Sequence, residues 1–360
     1  VIPIVDSAAY RALVAARLCL ATVAKQPFKQ NPGDLMKQYT MDVVDGNALI
    51  ELQDRPTPEP GPDQMLVRVR ATALNRGEFI VGIGLHKGGG AKPIGLEAAG
   101  EVVKCGSNIT AFKPGDAVFG RCAGGFSEFV LMHSREAMPK PANLTWEQAA
   151  GVALTSLVVH DMLVLQGRIQ AGQWVLIMGV SSGVGVCALT MAKALGAKVI
   201  GTSGSQAKLD ELKALGLDVG ICTRKPDFYD TVMATTEGKG VNLVVNTVGG
   251  TVFAECIRCM AFEGRLAMVG YVDNSLTAQI DLQALHSKRL TLFGVSNKQR
   301  TADQKAEHVP AFKEQILPLI EQGKIPTMVD RVLPFAELPL AKRVMEAGEH
   351  IGKIILAGPG

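Results

Sequence analysis

No run of about 18 apolar residues occurs in this chain of 360 residues, so no segment reads as a membrane-spanning helix. A block of basic charge is missing as well: 37 Lys and Arg against 34 Asp and Glu leave a net charge of +3 spread over both halves. That removes the phosphate-neutralising footprint of a nucleic-acid binder. The seven cysteines are odd in number and scattered, which argues against a disulfide framework and for a reducing, cytoplasmic compartment. Cys256 and Cys259 have C-x-x-C spacing, but two further ligands at matching spacing are lacking, so the pair reads as packed thiols one helical turn apart. Aromatic residues are scarce, at 5%. What the chain does have is 39 glycines and 47% hydrophobic residues, the balance of a glycine-rich α/β enzyme.

Residues 1–35, arginine- and alanine-rich and poor in acids, read as an extension outside the fold, with a targeting segment as the alternative. A compact pattern begins at Met36. Short apolar alternations such as "MLVRVRATAL", "GEVVKCG", "GDAVFGR" and "FSEFVLM", cut by Pro and Gly, predict a β-rich, barrel-like domain over 36–157. Thr145 before "WEQAAGVALTSLVVHDML" predicts a capped long helix leading out of it. From Gln173 strands and helices alternate: "WVLIM", helix 184–195, "KVIGTS", helix 206–215, "VNLVVNTV", helix 251–260, "GRLAMVGY" and "RLTLFGVS". This is the rhythm of a doubly wound parallel sheet, assigned to 158–296. The closing 297–360, with "FKEQILPLIEQGKI" as a helix and "GKIILAG" as a strand, is too short to fold alone and is expected to return to the first domain.

A dinucleotide site is expected at the turn between "WVLIM" and the helix "VGVCALTMAKALG". The helix N-terminus offers unpaired N–H groups to a pyrophosphate, Gly183 allows backbone approach, and Gly185 allows the helix to pack on the strand. Measured against G-x-G-x-x-G, Val180 and Ser182 occupy the first two glycine positions, so a plain strand-turn-helix is the alternative. At the end of "KVIGTS", where an NAD-binding chain places an acid, stands Ser203. No carboxylate lies within "GTSGSQAK", whereas Ser203, Ser205 and Lys208 are donors suited to a 2′-phosphate; NADPH is the expected cofactor. The alternative for Lys208 is a solvated helix charge.

The motifs "ATALNRGEFIVGIGL", "KPIGLEAAGEVVKCGSNITAFKPGDAVFG", "GGFSEFV", "SSGVGVCALTMAKALGAKVIGTSGS", "VNLVVNTVGG", "GRLAMVGY" and "GKIIL", in that order, resemble the zinc-independent quinone oxidoreductase (zeta-crystallin-like) branch of the medium-chain dehydrogenase/reductase family. The resemblance covers nearly everything from Met36 onward and implies a GroES-like β-rich catalytic domain beside a Rossmann NADPH-binding domain. Zinc-dependent relatives take a Cys from the "NRGEF" region and a His before the Glu of "GLEAAG". Here Leu96 holds the His position and 75–78 contains no Cys, so no metal is expected.

By the same resemblance the cofactor is lined by Asn75, Ser181, Ser182, Gly183, Val184, Gly185, Ser203, Ser205, Lys208, Arg224, Asn246, Val248, Gly249, Gly270, Tyr271, Phe293 and Val295. Asn75 is also a candidate at the reacting centre, with turn-capping as the alternative. Relatives carry tyrosines where Ile80 and His86 stand, which leaves His86, in the loop "GLHKGGGAKP", and His160, near the hinge, as candidate catalytic proton donors. Lys353 matches a family lysine to which no role is assigned. The implied activity is NADPH-dependent reduction of quinones or α,β-unsaturated carbonyl compounds by direct hydride transfer, in a homodimer. The alternatives are a 2-enoyl thioester reductase and an NADPH-binding structural protein without turnover.

Overall fold

The computed structural model describes residues 34–81 and 90–359. In chain order its strands are β1 (Leu35–Val44), β2 (Asn47–Pro56), β3 (Gln64–Ala73), β4 (Lys92–Pro93), β5 (Glu97–Cys105), β6 (Ala117–Arg121), β7 (Phe129–His133), β8 (Ala137–Pro139), β9 (Trp174–Met178), β10 (Lys198–Ser203), β11 (Val219–Cys222), β12 (Val241–Asn246), β13 (Met260–Met268), β14 (Thr291–Gly294), β15 (Val329–Leu333) and β16 (Lys353–Ala357). The architecture is α/β: a β-rich, GroES-like portion and a parallel sheet flanked by helices. Among the described residues no helix is long and apolar enough to cross a membrane.

The β-rich portion begins with the hairpin β1–β2, paired from Leu35 opposite Pro56 to Val44 opposite Asn47. Its turn uses Asp45 (φ 50°) and Gly46 (φ 75°), two consecutive left-handed residues as a two-residue type I′ turn demands. The main sheet runs β15-β16-β3-β5-β6-β8, with β7 also pairing β3. Alternation along β3 explains its central place, since Met65, Val67, Val69, Ala71 and Ala73 are all buried. The C-terminal segment supplies β16, which lies antiparallel to β3 with Leu356 opposite Thr72. The end of the chain therefore closes the sheet that its early strands begin.

The second sheet is wholly parallel, in the order β11-β10-β9-β12-β13-β14. Counted from β9 this is 3-2-1-4-5-6, the dinucleotide-binding order, whose direction reverses between β9 and β12. A ligand crevice is expected at the carboxyl ends of that pair.

Three expectations about local structure are corrected. The long helix after Thr145 is two pieces, Trp146–Ala150 and Ala153–His160, followed by a π-helical turn at Asp161–Leu165. A complete capping box of Thr145 and Gln148 starts the first piece, and Gly151, a poor helix former, ends it. "FKEQILPLIEQGKI" likewise splits into Val309–Gln315 and Leu317–Glu321, because Pro318 has no N–H and its ring blocks the carbonyl one turn back. Finally, β13 starts at Met260, four residues earlier than "GRLAMVGY" suggests, through an irregular pairing with β12. One core cluster joins both portions: Ala71, Ala99 and Phe119 pack with Val175, Ile177, Val186, Phe312 and Ile316.

Candidate functional site

The turn after β9 leads into the helix Gly183–Ala194. Ser182 is its extended N-cap; the hydroxyl accepts from Gly185 N at 3.1 Å and donates to Gly179 O at 2.9 Å. The first-turn N–H groups of Gly183 and Val184, which have no carbonyl one turn back, are thus the donors left for an anion. At Gly185 a Cβ would stand 2.4 Å from Gly179 O and 2.7 Å from Val180 Cα, both backbone atoms. This glycine is required by close packing, as its position in the pattern suggests. Two residues absent from the sequence expectation hold the turn: Thr202 accepts from Gly179 N at 3.2 Å, and Thr247 donates to Met178 O at 2.7 Å.

The end of β10 brings together most of the residues expected for the 2′-phosphate. Ser203 Oγ lies 3.4 Å from Ser181 Oγ and accepts from Ser205 N at 3.3 Å, while Ser205 caps the helix Gln206–Lys213. Arg224 lies against Gly204 so closely that a Cβ there would be 2.1 Å from its Nε. Gly204 is a third residue that the sequence expectation lacks. Lys208 departs from it: its Nζ donates to Gly348 O at 2.5 Å and His350 O at 2.8 Å, away from the serines.

At the reversal point, Asn246 is fully buried and its side chain is spent on its own turn. Its Oδ1 accepts from Val248 N and Gly249 N, and its Nδ2 donates to Gly249 O, each at 3.0 Å. Asn246 therefore shapes the Val248–Gly249 backbone, at the carboxyl end of β12. Gly270 sits next to Thr247 O, and Tyr271 beyond it is 41% exposed. Phe293 and Val295 pack into the main core cluster.

On the β-rich side, Lys353 at the start of β16 carries the densest polar network. Its ammonium donates to Glu97 Oε1 and Asn75 Oδ1 at 2.8 Å each, to Leu74 O at 2.9 Å, and to Thr155 Oγ1 at 3.3 Å. Glu97 is fully buried; its Oε1 also accepts from Asn75 Nδ2 at 2.9 Å, and its Oε2 from Leu154 N at 2.6 Å. The break between the two helix pieces is what frees Leu154 N for this bond. Asn75 is accordingly oriented at both ends of its amide. Glu78, on the next turn, is fully buried with one oxygen bonded to Gly95 N and the other without a partner among the described residues. Burial pushes its carboxyl up to about 8, with the charge of Glu97 adding to the rise and the Gly95 bond and Lys353 opposing it. Burial thus favours the neutral, protonated form of Glu78 in the folded protein.

Thr155, Ser156, Gly183, Cys187, Thr327 and Lys353 line a cavity of about 30 Å³ between the helix Ala153–His160 and the cofactor turn. Burial pushes the Cys187 thiol up to about 11, so it is not a nucleophile at neutral pH. Cys256 and Cys259 are buried thiols, both raised by burial, in agreement with their reading as packed residues. His160 is wholly buried in the hinge; its Nε2 meets Gln315 Oε1 at 2.9 Å, its ring stands edge-on to Phe312, and burial lowers its pKa. It does not line the cavity. His86 lies outside the described residues.

The residues here do not fit a zinc ion. Among the described residues no group of three or more His, Cys, Asp or Glu is placed to hold a metal, and the Glu97 carboxylate is already matched by the Lys353 ammonium. They do fit a dinucleotide, with the capped helix N-terminus at the reversal point for its pyrophosphate.

Comparison with known proteins agrees with this geometry. The family model described as "Alcohol dehydrogenase GroES-like domain" matches residues 61–142, and that described as "Zinc-binding dehydrogenase" matches residues 183–311. A crystal structure of an NAD-dependent alcohol dehydrogenase is similar with a TM-score of 0.78 and 30% identity, covering 89% of this chain and 99% of that one. A mycobacterial quinone oxidoreductase structure gives 0.76 and 25%, covering 89% and 99%. A mycocerosic acid synthase-like polyketide synthase of Mycobacterium tuberculosis is 30% identical over 306 residues, 83% of this chain and 14% of the synthase. The chain spans only 12–15% of the length of the curated relatives it matches.

Proposed function

The chain belongs to the medium-chain dehydrogenase/reductase family, and from that premise we propose that it is an NADPH-dependent reductase of acceptors already activated by conjugation to a carbonyl, namely quinones or enones. The observation that carries the reading is the Lys353–Glu97 pair. Lys353, held at the Asn75 end of the site, is saturated by four protein oxygens, and Leu96 offers no ligand, so neither of these described residues is free to polarise an unactivated alcohol. The acceptor must bring its own electron deficiency. The nicotinamide, when bound, supplies hydride to it, and the protein's part is to hold the two reactants together and exclude water.

Gly183 and Val184 N–H would hold the pyrophosphate, and the Val248–Gly249 and Gly270 backbone would border the cofactor. Arg224, with the Ser203 and Ser205 hydroxyls, would take the 2′-phosphate, since no carboxylate stands at the end of β10 to prefer a free ribose hydroxyl. The matches within polyketide synthases favour a second reading, a 2-enoyl thioester acceptor. As a free-edge strand, β14 supports pairing of two copies, which sedimentation analysis would test.

The deciding experiment follows NADPH oxidation by absorbance against a simple quinone, an enone and a crotonyl thioester, with NADH in parallel. Turnover of quinone or enone with a preference for NADPH supports the leading reading. Turnover of the thioester alone moves the assignment to acyl chemistry, and NADPH binding without turnover on any acceptor overturns the enzymatic reading.

A further inference from the structure

Reduction of an enone takes up a proton as well as a hydride, and the polar groups described above are poorly disposed to supply it. His160 is enclosed by Gln315 and Phe312, Lys353 spends its ammonium on four oxygens, and Glu78, although burial favours its protonated form, is fully enclosed against Gly95. Of the tyrosines among the described residues, Tyr39 is buried and donates to Ala336 O at 3.1 Å, and Tyr229 lies under the Arg258 guanidinium. Tyr271 is 41% exposed, and its hydroxyl has no hydrogen-bond partner among the described residues.

Tyr271 follows β13 on a short arch that is fixed at both ends to the turn after β12. Val269 N donates to Asn246 O and Asp273 N donates to Val248 O, each at 3.0 Å. The Asp273 carboxylate accepts from Thr251 N at 2.8 Å, Thr251 Oγ1 at 2.6 Å and Ser275 N at 2.9 Å, and Gly250 N donates to Ser275 O at 3.0 Å. Side chains along β13 alternate: Leu266 and Met268 pack in the cluster of Val244 and Ile257, whereas Ala267 and Val269 pack in the one that contains Ala71 and Phe119 of the β-rich portion. Continued to Tyr271, the alternation turns the phenol to the side of Val269, the side of Phe293 and Val295 as well. Those neighbours are apolar and have no proton to give.

We propose that Tyr271 is a catalytic residue, the proton donor to an enone bound at the carboxyl ends of β12 and β13; this rests on the reductase reading above. Hydride bonds to the β-carbon of the acceptor, the π electrons shift to the carbonyl oxygen to give an enolate, and the Tyr271 O–H breaks as its proton bonds to that oxygen. The phenolate left behind is exposed enough to regain a proton from water. The enol tautomerises to the saturated ketone.

The test is Y271F with cyclohexenone, nitrostyrene and a simple quinone as acceptors. Hydride addition to nitrostyrene ends at a nitronate, a stable anion that needs no proton from the protein. Y271F lowers kcat for cyclohexenone about 100-fold, the lower end of what a positioned acid contributes, while kcat for nitrostyrene and Kd for NADPH stay within about twofold of native. Native turnover of cyclohexenone by Y271F would overturn the proposal, as would losses of equal size for cyclohexenone and nitrostyrene, which a merely structural role would give. So would native protein that reduces the quinone but not cyclohexenone. Native protein that reduces none of the three refutes the reductase reading and this proposal with it, a result seen before any variant is made.

Discussion

Replacing Lys353 by Met tests the buried network most directly. The Lys353 side chain is 9% exposed and Glu97 is fully buried, so the substitution leaves a carboxylate away from water with, among the described residues, Asn75 Nδ2 and Leu154 N as its remaining donors. Three hydrogen-bond acceptors besides Glu97 also lose their partner: Leu74 O, Asn75 Oδ1 and Thr155 Oγ1. Removing one member of a buried pair typically costs about 3–5 kcal/mol, far more than the net worth of the intact pair. At about 2 °C per kcal/mol, the lower end for domains of 150–250 residues, the melting temperature falls by roughly 6–10 °C. The double variant K353M/E97Q separates this cause from lost packing. Its single amide oxygen still accepts from Leu154 N, its NH2 faces the freed Asn75 amide, whose oxygen can accept from it, and the stranded charge is gone, so it regains about 2 kcal/mol over K353M. Thermal and denaturant unfolding of the four proteins in the cycle give the coupling. A K353M loss below about 1 kcal/mol, or additive single effects, would refute the claim that the pair is held as a buried charge-matched unit.

Three other outcomes follow from the same geometry. Glu78, with a folded pKa of about 8 against an ordinary 4.5, binds its proton more tightly in the folded state. Its stabilising contribution is complete below about 4.5 and is lost as pH rises through about 8; melting temperature against pH shows that decline in the native protein and not in E78Q. Gly204→Ala drives a Cβ into Arg224 and displaces that flexible side chain; KM for NADPH rises about tenfold while KM for NADH stays unchanged, as initial-rate kinetics with each cofactor would show. Gly185→Ala meets Gly179 O and the Val180 backbone, which cannot yield, and lowers stability by about 1–3 kcal/mol in urea unfolding together with weaker dinucleotide binding. A G185A protein with native stability would mean that the helix does not rest on the turn as described.

Much of this molecule is legible from local pattern. The parallel sheet follows from apolar runs such as "WVLIM" and "VNLVVNTV" alternating with helices, because a strand buried on both faces and a helix with one apolar stripe have distinct periods. Gly185 is legible because its requirement is a contact with Gly179 and Val180, six and five residues away. The β1–β2 hairpin was equally available in "VVDGNAL", where Asp-Gly between apolar residues is a turn signal.

Pairings across long sequence separations are what only the tertiary structure decided. Lys353 meets Glu97 from 256 residues away and Asn75 from 278, and no spacing rule connects them. Lys208 shows the same limit in reverse: its place after "GTSGSQA" suggests a phosphate ligand, yet carbonyls 140 and 142 residues further on take its donors. Asn246 is directed inward to its own turn, and His160 is closed off by Gln315 and Phe312. Residue type and period determine which elements form and which chemistry is at hand, since those depend on neighbours in the chain. Which donor satisfies which buried acceptor depends on how the elements pack, and that is settled only when the two sheets share one core.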